Sequence, residues 1–342
     1  MANSIQVKEL KEILSNFPSS TKVIHICKGT IFSFESNILC FRKFPISDIS
    51  CSFEYKVLNK ILDSFFDSEE SLTVNNNSIS ITLKNKNSII EVVEPDLPPK
   101  KIVEIIKSIR SSEKSFVLKD AEGFKEAILF ACSVARKDNL SGLLDCISIT
   151  KEGEIISSDN IRALKIKVKD TFSIDMILEA KRVYQFFKNK SISKIVVFDN
   201  WTGFYEKSTK MCFCIMASYI GTYPTEKFQE FFKKTSKEDG EYFKLPEEAK
   251  TLLKKISGFA EGKSDIQKTA TVEFRKKNIV FSVPIPGGKY TRKIPYKNDR
   301  EFSMTLNPGL FISPDEDIRM KLQTNSIYYK KDNFEYIMAV GE

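Results

Sequence analysis

Apolar residues recur at helical spacing near the start of the chain, where Val7, Leu10, Ile13, Leu14 and Phe17 form one stripe and predict an amphipathic helix over 7–17. Similar stripes predict helices over 124–135 and 245–256, the latter with Pro246 at a position that a helix start tolerates. Two more amphipathic runs, 56–66 and 175–187, each follow a Phe-led tripeptide: Phe53-Glu54-Tyr55 and Phe172-Ser173-Ile174. A third such tripeptide, Phe302-Ser303-Met304, leads into Asn307-Pro308-Gly309, which predicts a short or distorted helix there. Elsewhere the period drops to two. Ile79-Ser80-Ile81-Thr82-Leu83 alternates as a half-buried antiparallel strand does. Three short strands split by Asn, Asp, Gly or Lys turns then close each third of the chain: 72–74, 78–84 and 88–93; 194–198, 201–206 and 211–218; 318–322, 326–330 and 334–340.

Two connectors make the repetition explicit. Pro98-Pro99-Lys100-Lys101-Ile102-Val103-Glu104-Ile105-Ile106-Lys107 aligns with Pro224-Thr225-Glu226-Lys227-Phe228-Gln229-Glu230-Phe231-Phe232-Lys233, sharing the proline, a lysine, the glutamate, the apolar pair after it and the final lysine. The spacing is far longer than a solenoid repeat and indicates duplicated domains. The reading is an α+β chain of three tandem domains, 1–112, 113–240 and 241–342, each with two helices packed on antiparallel sheet.

Composition narrows the chemistry. With 42% hydrophobic and 29% charged residues in 342, the chain has the balance of a folded protein. A single histidine, His25, leaves one imidazole for any triad and none to spare for a multi-histidine metal site, which narrows the enzyme options; its place between Ile24 and Ile26 predicts a half-exposed strand. The seven cysteines, among them Cys212 and Cys214 on one strand face, read as small buried hydrophobes of a reducing compartment, without a disulfide framework or metal knuckle. A formal charge of +8 favours an anionic partner. There is no apolar run of about 18 residues, and a cytoplasmic location is expected.

The middle repeat has the most specific pattern. Phe124-Lys125-Glu126-Ala127 opens a helix, Leu140–Ile149 with Gly142-Leu143 reads as a strand, and Ile155-Ile156-Ser157-Ser158-Asp159-Asn160-Ile161-Arg162-Ala163-Leu164 follows. This last segment resembles the strand ending in Thr-Asp-Gly-His-Arg-Leu of the bacterial-type DNA polymerase sliding clamp, the polymerase III beta subunit family. Ser158, Asp159 and Arg162 fit the motif, whereas Asn160, Ile161 and Ala163 depart from it. Tyr223-Pro224 resembles the aromatic-Pro pair that opens the family's second connector. Divergence and a Lys/Ile/Asn-rich composition are consistent with a phage or an AT-rich bacterium.

The resemblance implies a homodimer closed head to tail into a ring around double-stranded DNA, without enzymatic activity or cofactor, tethering the replicative polymerase and served by a clamp loader. Helices that line such a hole should be basic opposite their apolar stripe. The candidates are Lys8, Lys11, Lys56, Lys60, Lys125, Arg136, Lys137, Lys181, Arg182, Lys188, Lys250 and Lys254. The family's groove for a hydrophobic partner peptide carries over to Ile161, Arg162, Ala163, Leu164, Phe231, Ile337, Met338 and Ala339, with Leu164 and Phe231 the first to be assigned to the core instead. The subunit contact would pair Ile89, Ile90 and Val92 with Ile256, Phe259 and the strand 278–283. Two alternatives are a clamp-like scaffold that does not encircle DNA and a nucleotide-dependent enzyme acting on DNA; against the enzyme, Gly258-Phe259-Ala260-Glu261-Gly262-Lys263-Ser264 has one residue too few between its glycines for a phosphate loop and follows a helix rather than a strand. Pro286-Gly287-Gly288-Lys289 reads as a hairpin turn and Asp315-Glu316-Asp317 as a surface loop. No metal site is expected.

Overall fold

The amphipathic stripes form helices and the alternating runs form strands in a computed structural model that describes residues 4–64, 71–74, 78–83, 86–91, 99–135, 142–217, 222–260, 268–312 and 319–341, with the strands alone given over 71–91. The helices are α1 (Val7–Ser15), α2 (Tyr55–Ser64), α3 (Lys100–Arg110), α4 (Ala121–Val134), α5 (Ala180–Phe187), α6 (Thr225–Lys237) and α7 (Glu247–Ile256). The fold is mixed α+β, and every strand pairing described is antiparallel. Both connectors are helices, each entered through a proline: Pro99 precedes α3 and Pro224 precedes α6.

Two compact units form, one from Met1–Leu129 with Lys169–Ile220 and the other from Phe130–Val168 with Gly221–Glu342. Each joins strands of successive repeats. In the first unit an eight-stranded sheet runs in the order Ser50–Glu54, Val23–Cys27, Thr30–Glu35, Ile38–Lys43, Cys212–Met216, Trp201–Glu206, Ile192–Phe198, Ser115–Val117. The seam between repeats is the pairing of Cys40 with Phe213 and Leu39 with Cys214. Helix α3 covers this sheet, burying Ile102, Ile106 and Ile109 against Phe41, Cys212 and Cys214. Burial of this kind is worth about 1.5–3 kcal/mol per side chain. A four-stranded sheet, Ser4–Gln6, Ser71–Val74, Ser78–Leu83 and Lys86–Glu91, belongs to the same unit.

In the second unit Cys146–Ile149, Glu154–Ser158, Arg162–Lys167, Phe334–Ala339, Ser326–Lys331, Met320–Leu322 and Glu241–Phe243 lie side by side in that order. Its seam pairs Ala163 with Ile337 and Leu164 with Tyr336. Helix α6 covers it as α3 covers the first. The alignment of the two connectors places Ile106 opposite Phe232 and Ile109 opposite Thr235, and all four are buried. A second four-stranded sheet runs Gly288–Pro295, Asn278–Ile285, Ala270–Arg275, Phe302–Leu306.

Several expectations need correction. The segment 175–187 is not one helix: Met176 and Leu178 are buried in alternation on a strand, Met176–Glu179, and α5 begins only at Ala180. Leu140–Ile149 is a strand only from Cys146, because residues 142–145 form a turn with Gly142 at φ +23°; residues 140 and 141 lie outside the described part. His25 is buried rather than half-exposed, hydrogen-bonded through Nδ1 to Ser52 Oγ at 2.7 Å and stacked 5.0 Å from Phe32. Among the described residues 307–312 that follow Phe302–Leu306, no helix forms. Asn307 Oδ1 accepts the amides of Gly309 and Leu310 and closes a turn instead. The hairpin at 286–287 is present, with Gly287 at φ +80°.

Candidate interaction sites

The seam of the second unit opens into a groove of about 500 Å³. One wall is the face of α6 that presents Phe228, Phe231 and Thr235, and the other is built from Ile161 and Ala163 with Ile337 and Ala339 on the paired strand. Helix α6 is held from several directions. Phe232 is fully buried with Ala163, Tyr328 and Ile337, and the Lys165 ammonium sits 5.2 Å over the Phe232 ring while pairing with Glu335 at 2.9 Å. At the C-terminus of α6, Lys321 Nζ donates to the carbonyls of Ser236 and Glu238 at 3.1 and 2.7 Å, and Gln323 Nε2 donates to that of Thr235 at 2.6 Å. A cation and an amide there satisfy carbonyls that the helix leaves unpaired. At its N-terminus Tyr223 stacks on Phe228. Beside the groove, the Tyr328 hydroxyl donates to Glu335 Oε2 at 3.1 Å, and burial raises its pKa.

The strand that enters the groove depends on one residue. Asn160 occupies the turn before Arg162–Lys167 at φ +73°, a conformation glycine or asparagine adopts with least strain. Asp159 Oδ1 accepts the amides of Ile161 and Arg162, and its Oδ2 accepts Arg162 Nε at 2.8 Å. The same guanidinium donates to the carbonyls of Leu310 and Ser133 at 3.2 and 3.3 Å. Arg162 is 8% exposed. It joins the end of α4, the 307–310 turn and the seam strand, so it is a structural hub at the base of the groove.

Of the groove residues expected from the sequence, Ile161, Arg162, Ala163, Phe231, Ile337 and Ala339 line this one cavity. Leu164 and Met338 do not. Both are fully buried, because alternate residues of a strand face opposite sides. Phe231, one of the two first assigned to the core, is 44% exposed. The reading missed Phe228, Thr235 and Glu238, although their spacing with Phe231 along α6 is that of one helix face.

The basic candidates divide. Lys8, Lys56, Lys60, Lys181, Lys188 and Lys254 are exposed on or beside their helices. Lys11 lies 3.8 Å from Asp63, Lys125 lies 3.7 Å from Glu122, and Arg182 pairs with Glu179 at 2.9 Å. Lys250 must be removed from any solvent-facing set: it is 4% exposed and packs on the same face of α7 as Ala249, Leu253 and Ile256. Arg136 and Lys137 lie outside the described residues. At the expected subunit contact Ile256 is fully buried in its own unit, whereas Phe259 is exposed and meets Tyr290 edge-on at 5.2 Å. Asn278–Ile285 cannot receive a partner strand, because it is paired on both sides; Gly288–Pro295, paired on one side among the described residues, lies at an edge of that sheet. Lys86–Glu91, with Ile89 and Ile90, is likewise an edge strand, and Val92 lies outside the described residues. Residues 261–264 of the Gly-rich segment and Asp315–Asp317 also lie outside them. Among the described residues no cluster of potential metal ligands occurs and no helix is long and apolar enough to cross a membrane.

No protein-family model matches the sequence, and no curated protein is similar to it in sequence. Solved structures are similar in fold. The DNA polymerase sliding clamp of Pseudomonas aeruginosa superposes with a TM-score of 0.74 at 10% identity, covering 100% of this chain and 99% of the clamp. The Helicobacter pylori beta clamp bound to a DNA ligase peptide gives 0.70 at 14% identity, with 100% of both chains covered. The likeness in fold thus extends over the full length of both chains, and the chain has the three-domain fold of the bacterial DNA polymerase sliding clamps in a sequence far diverged from theirs.

Proposed function

We propose that this protein is a sliding clamp. Two copies close head to tail around duplex DNA, and the ring tethers a replicative polymerase and other DNA enzymes without catalysing a reaction. The observation that carries this reading is the end-to-end likeness in fold to bacterial clamps, covering whole chains on both sides. On this reading 1–112, 113–240 and 241–342 are three repeated domains, whose strands join in the two compact units described above. The exposed Lys8, Lys56, Lys60, Lys181, Lys188 and Lys254 contact phosphates without regard to sequence. The groove beside α6 takes the apolar side chains of a partner peptide, a use supported by the ligase peptide bound to the similar H. pylori clamp. Subunits join through two edge strands, Lys86–Glu91 and Gly288–Pro295, each paired on one side only among the described residues.

The test exploits topology. Lysine–phosphate contacts weaken steeply with salt as counterions are released, so an open binder leaves linear and circular DNA alike. After assembly with its loader in moderate salt, the clamp is expected to stay on a closed circle and to leave quickly once the circle is cut. Equal decay from circle and line would refute encirclement.

A further inference from the structure

At the opposite end of the first unit's seam from the strand ends that correspond to the groove, a cleft of about 540 Å³ gathers Lys28, Arg42, Lys43, Arg110 and Lys210 around Phe41 and Tyr205. The cations come from four separate parts of the chain. Lys28 stands in the hairpin turn before Thr30–Glu35, at φ +46°, with Gly29 following at φ +71°. Such a pair of left-handed residues makes the tight turn that points Lys28 at the cleft's rim. Arg42 and Lys43 end the seam strand, Arg110 ends α3, and Lys210, at φ +57°, precedes Cys212–Met216.

None of the described lining residues is Asp or Glu. The adjacent Asp48 is not among them and accepts a hydrogen bond from Ser47 Oγ at 3.0 Å. Glu206, on the strand before Lys210, is taken up by Lys190 at 3.3 Å and Thr209 at 2.5 Å. The buried Nε of Arg42 has no hydrogen-bond partner among the described residues. Arg110 is already positioned, donating to Thr30 Oγ1 at 2.9 Å with its guanidinium 5.3 Å over the Phe41 ring. Five like charges in a concave site repel one another and raise the local potential, which an anion relieves. An orphaned guanidinium N–H favours an acceptor with several oxygens, and arginine forks with lysine point charges match phosphate.

We propose that this cleft binds an oligophosphate chain, as in a free polyphosphate or nucleotide or along a nucleic-acid strand. At about 540 Å³ the cleft is too large for one phosphate, and five of its lining residues are cations. The proposal is independent of whether the protein encircles DNA, since the site lies within one unit and apart from the helix lysines.

The test is calorimetric titration of the full-length protein with sodium tripolyphosphate at low salt. Binding is expected, with affinity falling as salt rises. Lys43→Glu combined with Lys210→Glu should weaken it by about tenfold or more, and Arg42→Gln should weaken it as well. Lys43 and Lys210 are exposed, so the double variant should keep the parent unfolding midpoint, and a variant at the exposed Lys277, Lys277→Glu, should bind as the parent does. A short oligothymidylate that competes for the same site assigns the phosphates to a nucleic-acid strand; tripolyphosphate binding without such competition assigns them to a free oligophosphate. Absence of binding at millimolar ligand, undiminished binding by the double variant, or a preference for poly-glutamate over tripolyphosphate would each overturn the proposal.

Discussion

Arg162 illustrates how a residue can border a groove and still belong to the core. Its partner Asp159 has a side chain only 10% exposed, so removing the guanidinium leaves a nearly buried carboxylate without its cation and takes a donor from the Ser133 and Leu310 carbonyls. Arg162→Ala is therefore expected to destabilise the protein by about 3–5 kcal/mol, measured by denaturant unfolding. A charge reversal at Arg162 would report on folding before it reported on binding. Phe231 is the cleaner probe. Exposed and away from the seam, it should lose no more than about 0.5 kcal/mol of stability on replacement by Ala, while affinity for a hydrophobic clamp-binding peptide falls by about tenfold or more. Unchanged peptide affinity would remove Phe231 from the binding surface. Gly203 makes the complementary point in the first unit: a Cβ there would stand 3.1 Å from the Sγ atoms of both Cys212 and Cys214. Gly203→Val should cost about 1–3 kcal/mol by overpacking, read in the same unfolding experiment.

At the scale of elements, the strands of the first unit's eight-stranded sheet and the second unit's C-terminal strand set stability, the former also its pH dependence. Burial pushes the Cys51 thiol up to about 12 from its ordinary 9.0, and lifts Cys40 and Cys214 as well. A thiol whose pKa is raised by folding keeps its proton in the native state and releases it in the unfolded chain. Its stabilisation is complete below pH 9, declines as pH rises through 9 to 12 and is lost above the folded value. Each such thiol adds a slope of about 1.4 kcal/mol per pH unit. Unfolding free energy measured from neutral to alkaline pH should thus fall more steeply than for a Cys40→Ala/Cys51→Ala variant. The C-terminal strand Phe334–Ala339 is paired on both sides, and Tyr336, Ile337 and Met338 are all buried. Deleting residues 336–342 removes three such side chains, each worth about 1.5–3 kcal/mol. Circular dichroism and proteolysis should therefore show loss of the second unit as a whole, not a selective defect in peptide binding.

For the whole molecule, the clamp reading requires association between copies. The edge strand Gly288–Pro295 carries Tyr290, against which the exposed Phe259 packs. Light scattering of the purified protein should give about twice 39.1 kDa, and Phe259→Asp should shift it towards one chain without lowering the unfolding midpoint. A monomeric parent at micromolar concentration would count against the ring even with the fold unchanged. Loss of the dimer in the variant should also abolish retention on circular DNA, linking the interface to the topological experiment.

What the sequence determined by itself was local and repeated. Spacing along α1 and α7, alternation in Ser78–Leu83 and the prolines before α3 and α6 are written in neighbouring residues, because helix and strand periods are properties of short segments. The connector alignment, which set Ile105 and Ile106 against Phe231 and Phe232, pointed to duplicated domains, and Ile106 and Phe232 are both buried. Six of the eight residues carried over to the groove meet there because the seam pairs Ala163 with Ile337. The tertiary structure alone decided the rest. Strand order left Gly288–Pro295 at an edge and enclosed Asn278–Ile285; packing buried Lys250 and made Arg162 a hub rather than a rim charge. It also drew Lys28, Arg42, Lys43, Arg110 and Lys210 into one cleft. These outcomes depend on contacts between residues distant in the chain, whose pairing and burial the periodicity of any single segment does not encode.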